Sequence, residues 1–74
     1  MTLTVKLFAF LRHGRFKVEI REYPEQTKVS EVILGLGIEL EEVGVIMLNS
    51  RHCDTETQLT ENDILAIFPV IGGG

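Results

Sequence analysis

The sequence predicts an α+β domain, a mixed sheet of four or five strands with one short helix packed on one face. Three observations carry that expectation. Apolar and polar residues alternate along residues 2–11 and again along 16–21, on either side of a short glycine-containing turn. Val29, Val32, Ile33 and Leu36 then form one stripe at helical spacing. Two further apolar runs, 45–48 and 64–68, are short and bounded by turn residues, as strands are.

In the first strand, 2–11, alternation puts Leu3, Val5, Leu7, Ala9 and Leu11 inward and Thr2, Thr4, Lys6, Phe8 and Phe10 outward. Two phenylalanines on a face that should be polar are the first functional clue. Residues 12–15 make a hairpin turn, and Phe16, Val18 and Ile20 return inward. Lys17, Glu19 and Arg21 then face out, where charge discourages edge pairing. Tyr23 and Pro24 break the pattern. Thr27 reads as the helix N-cap, Glu31 suits the first turn, and Gly37 supplies the left-handed stop. Residues 38–43 form a connection, 45–48 a central strand, 51–53 a short strand and 59–63 a turn. The last strand, 64–68, turns Leu65 and Ile67 inward and Ile64, Ala66 and Phe68 outward. The predicted core is Leu3, Val5, Leu7, Val18, Val29, Val32, Ile33, Leu36, Ile46, Leu48, Leu65 and Ile67.

At 74 residues there is room for one domain, and 45% hydrophobic content argues against disorder. One cysteine, Cys53, excludes an internal disulfide, and no His/Cys set has metal-ligand spacing. The longest apolar runs are too short for a signal sequence or a membrane span, so a reduced cytoplasm is expected. Net charge is −4, divided as +3 over residues 1–28 (six Lys/Arg, three Glu) and −7 over 29–74 (one Arg, eight Asp/Glu). That balance disfavours nucleic acid and suits docking onto proteins. Adjacent strand residues face opposite ways, so His52 and Cys53 make no catalytic dyad, and His13 has no partner in sequence. No catalytic residue and no bound cofactor is expected.

The chain closes on Pro69-Val70-Ile71-Gly72-Gly73-Gly74. Three glycines without side chains make a thin thread that a narrow channel would admit. A frayed end or a cloning remnant would look similar. Against that, the thread leaves the last strand without a spacer and carries no serine, lysine or histidine. The expected division is a domain over 1–71 and a flexible tail over 72–74.

Four stretches together resemble the ubiquitin-like β-grasp sulfur carriers, the ThiS/MoaD family, and most of all the molybdopterin synthase small subunits. They are Lys6-Leu7-Phe8-Ala9-Phe10-Leu11-Arg12, Thr27-Lys28-Val29-Ser30-Glu31-Val32, Leu59-Thr60-Glu61-Asn62-Asp63, and the tail. Three departures stand beside the match. Pro69-Val70 replaces the family's Pro-Pro, Gly72 stands where Ala, Ser or Thr is preferred, and the segment after the helix is short. The resemblance implies that a partner adenylating enzyme of the ubiquitin-activating type (MoeB/ThiF-like) uses ATP to activate the Gly74 carboxylate. A sulfur donor then leaves a thiocarboxylate there, which is spent by a synthase large subunit (MoaE-like) or a thiazole synthase. Gly73 and Gly72 would present that atom. The function expected is sulfur transfer in molybdopterin (Mo/W cofactor) synthesis. The alternatives are a thiamine-pathway carrier, a ubiquitin-like modifier joined through the same glycine, and a binding module with an inert tail. Phe8 and Phe68, outward on strands that lie side by side in a β-grasp sheet, are expected to form a partner-docking patch. By resemblance His52 completes it and Arg12 lies at its rim.

Overall fold

The computed structural model describes residues 1–70. Five strands, β1 (Thr2–Leu7), β2 (Val18–Glu22), β3 (Val43–Leu48), β4 (Arg51–His52) and β5 (Ile64–Pro69), form one sheet in the order β2-β1-β5-β3-β4. The central pair β1 and β5 is parallel and the other pairs are antiparallel, which makes the sheet mixed as expected. One α-helix, α1 (Val29–Gly35), supplies Val29, Val32 and Ile33 to the core. They meet Leu3, Val5 and Leu7 of β1 and Leu65 and Ile67 of β5 in one buried cluster.

A seven-residue helix is too short to persist alone. Distant segments satisfy both of its ends. At the N-terminus the amides of Val29 and Ser30 donate to the carbonyls of Thr57 and Thr55. The Glu31 carboxylate accepts from the Lys28 amide at 2.8 Å. At the C-terminus Arg15 donates through Nε to the Leu36 carbonyl (2.9 Å) and through Nη2 to that of Gly37 (3.0 Å). Gly37 adopts φ +78°, the expected left-handed stop. The N-cap is Lys28 rather than Thr27, whose hydroxyl instead donates to the Pro24 carbonyl.

Several expectations are corrected. The first strand stops at Leu7, because Ala9 takes φ +52° and residues Ala9–Arg12 wind into a 3-10 turn. That turn puts Leu11 in the core while Ala9 and Phe10 are exposed. Strand β2 has the opposite facing to that read from its alternation. Its register sets Arg21 opposite Leu3 and Glu19 opposite Val5, so the charged residues share the helix side of the sheet. Val18 and Ile20 are therefore on the open face, 56% and 70% exposed. The physical reason is position: β2 is an edge strand, and its helix-side residues sit at a rim where charged ends reach water. Leu36 and Leu48 pack against the core only in part, while Ile38 and Leu59, read as connection and turn, are fully buried.

Candidate functional site

The site grows from the face of the sheet that the helix leaves open. Parallel pairing of β1 with β5 aligns Leu7 with Ile67, so the next residues on the two chains, Phe8 and Phe68, come side by side. Their rings stack with centroids 4.2 Å apart and planes at 10°. Arg12, brought back by the 3-10 turn, sets its guanidinium 5.2 Å from the Phe8 ring centre and donates to the Leu7 carbonyl. The hydrogen bond holds the cation over the ring, where the aromatic quadrupole favours it.

His52 enters from the far side of the sheet. Strand β4 pairs His52 with Met47, and β3 pairs Met47 with Ala66 and Val45 with Phe68, all on the open face. Val45, Met47, His52, Phe68, Pro69 and Val70 line an open apolar groove of about 590 Å³ together with Gly44. A smaller depression beside it is bounded by Lys6, Phe8, Ile64 and Ala66. The four residues expected to form a patch, Phe8, Phe68, His52 and Arg12, thus lie on one continuous surface.

Gly44 sets how closely the end of β5 lies against β3. A bulge interrupts the β3–β5 register between Val43 and Val45, and a Cβ at Gly44 would lie 2.7 Å from the Pro69 carbonyl oxygen and 3.0 Å from the Val70 Cα. Only glycine admits so close an approach of backbone. The Val70 amide then donates to the Glu42 carbonyl at 2.9 Å, which fixes the last described residue against the 3-10 turn that leads into β3. The tail positions Gly72, Gly73 and Gly74, and the proposed 72–74 boundary, lie outside the described residues.

Cys53 is separate from this face. It packs partly against the core, and burial raises its thiol pKa more than a hydrogen bond with Thr57 lowers it. Among the described residues no group of three His, Cys, Asp or Glu side chains could hold a metal ion. No described helix is long and apolar enough to cross a membrane.

Sequence reasoning did not single out Val45, Met47, Ile64 or Val70 as site residues. The signal was present in the uninterrupted run Val45-Ile46-Met47-Leu48, which offers apolar residues to both faces of its strand.

The ThiS family model matches residues 5–74. The chain belongs to the ThiS family. Solved structures share the β-grasp fold of this ThiS-family chain. One is a molybdopterin converting factor subunit 1 assignment from Pyrococcus furiosus, at 24% identity and TM-score 0.77 over 96% of this chain and 99% of that one. Another is small archaeal modifier protein 1 of Haloferax volcanii, at 17% identity and TM-score 0.74 over 95% and 98%. A third is in a complex of subunits 1 and 2 of the molybdopterin-converting factor from Helicobacter pylori, at 20% identity and TM-score 0.67 over the whole of both chains. The comparison with curated proteins gave no match.

Proposed function

We propose that this ThiS-family chain carries sulfur as a thiocarboxylate on Gly74 for molybdopterin-type cofactor synthesis, in the cytoplasm. The observation that carries the reading is the joining of an apolar docking face to the root of a glycine thread, at Phe68, Pro69 and Val70. A partner seated on the stacked Phe8–Phe68 rings and in the groove by His52 would find residue 70 at its edge, held in place by the Glu42 carbonyl.

The chemistry belongs to the partners, and this chain positions one atom. A carboxylate repels nucleophiles, so the adenylating enzyme joins it to AMP from ATP and releases pyrophosphate. The terminal sulfur of a donor persulfide displaces AMP, and a thiol cleaves the resulting acyl disulfide to leave the thiocarboxylate. Glycines at 72–74 keep the thread narrow enough to enter both partner sites. A large subunit like that in the Helicobacter pylori complex is the receiving partner favoured by the structural likeness, and a thiazole synthase is the alternative.

The test is incubation with an adenylating enzyme, ATP and a persulfide donor, followed by intact mass measurement. Replacement of one oxygen by sulfur at the C-terminus is expected, and an unchanged mass with every tested enzyme overturns the proposal. The likeness to a small archaeal modifier protein favours a second use of the same carboxylate, joining to lysine. Lysine-linked adducts in lysate without any thiocarboxylate would favour that reading instead.

A further inference from the structure

We propose that the free edge of β2 pairs with β2 of a second copy, forming a two-fold dimer in which the sheet runs continuously through both chains. Strand β2 is an outer strand of the sheet. The Leu7 amide donates to the Lys17 carbonyl and the Tyr23 amide to that of Met1, so residues 17, 19, 21 and 23 turn their backbone groups toward β1. Val18, Ile20 and Glu22 therefore turn theirs away, as an open template for another strand. Exposed edges are commonly blunted by proline, a bulge or unmatched charge; β2 carries no proline, and its register with β1 is regular.

Charge selects both the occupant and the register. Antiparallel self-pairing that uses the free backbone groups can centre on Glu19, Ile20 or Arg21. Centring on Glu19 opposes Glu19 to its own copy and Lys17 to Arg21. Centring on Arg21 opposes two guanidinium groups. Centring on Ile20 sets each Glu19 across from the Arg21 of the other chain, in the close, non-hydrogen-bonded type of pair. Glu19 and Arg21 already form an ion pair within one chain. The dimer would extend that pair into a closed square of alternating charge on the helix side of the sheet. On the open side, Ile20 meets Ile20, covering the most exposed large apolar residue of the described chain. A two-fold axis through Ile20 makes this interface self-complementary, as an isologous dimer requires. The sequence-based expectation is that the β2 charges oppose edge pairing; the proposed register differs because the order Glu-Ile-Arg attracts its own reverse.

Two five-residue strands bury far less than a standard stable interface, so the association is weak and concentration-dependent. By the usual strand spacing, Phe8 at the end of β1 lies about 5 Å and Phe68 on β5 about 10 Å inward from β2. The docking face therefore remains a separate surface.

Sedimentation velocity and amide NMR from micromolar to millimolar concentration test the proposal. A rising sedimentation coefficient with shifts centred on residues 17–23 is expected. Glu19→Arg opposes like charges and should weaken the dimer by at least about tenfold, and adding Arg21→Glu to it should restore pairing. Ile20→Pro removes an amide that β1 does not use, and should abolish the dimer in a chain whose amide spectrum shows it folded. A monomer at millimolar concentration overturns the proposal. So does a dimer that is indifferent to the Glu19 and Ile20 changes, or one whose shifts map to Phe8 and Phe68.

Discussion

Phe8 and Phe68 stack face to face at 4.2 Å although 60 residues separate them, because β1 and β5 run parallel and in register. Neither ring is needed to close the core, which lies on the other face of the sheet. Phe8→Asp or Phe68→Asp should weaken binding to an adenylating enzyme or synthase subunit by at least about 2 kcal/mol, the scale of an interface hot spot. The melting temperature should fall much less than for a core substitution. Calorimetric titration of the partner, beside a thermal melt of each variant, checks this. Parent-like binding by both variants would refute the docking role.

Gly44 offers a test of the tail root. Adding a methyl group there drives Cβ into the Pro69 carbonyl, so Gly44→Ala should destabilise the fold by about 1–3 kcal/mol, as overpacking does. It should also reduce thiocarboxylate yield beyond what its stability loss explains, measured at a temperature where the variant is fully folded. Equal yield at that temperature would mean that the exit direction is unimportant.

Deleting Gly74, or masking its carboxylate with a C-terminal tag, should abolish thiocarboxylate formation and leave the melting temperature unchanged. Intact mass and a thermal melt on the same sample read both halves. Undiminished sulfur loading after the deletion would end the carrier proposal.

Stability should divide along the two faces of the sheet. Leu7→Ala and Ile33→Ala each empty a fully buried site and should cost about 2–5 kcal/mol. Val18→Ala, at a position that alternation alone assigns to the core, should stay within about 0.5 kcal/mol because the side chain is largely in water. Urea denaturation of the three variants distinguishes the faces.

Cys53 should react sluggishly. Its raised pKa leaves less thiolate than a free cysteine at any pH below that value. Alkylation by iodoacetamide near pH 8 should be slower than for a cysteine in an unfolded peptide, and should approach it as the pH rises through the shifted pKa. A rate equal to that of the unfolded peptide would contradict the burial.

The sequence by itself determined the element types, the helix stripe and the inward set of the two central strands. Local alternation and helical spacing dictate these wherever a strand or helix is covered on one side only. Leu3, Val5, Leu7, Leu65 and Ile67 were legible for that reason, and Phe8 and Phe68 stood out as aromatics of the opposite phase. Tertiary structure alone decided which way β2 faces, since an edge strand is covered by neither layer and its alternation has no fixed meaning. It also decided where β1 ends. Nothing local forces Ala9 to positive φ, but the turn it begins brings Leu11 into the core and Arg12 over the Phe8 ring. The same holds for the groove: Val45, Met47 and His52 become neighbours of Phe68 only through pairings between strands distant in sequence, which no window of sequence contains.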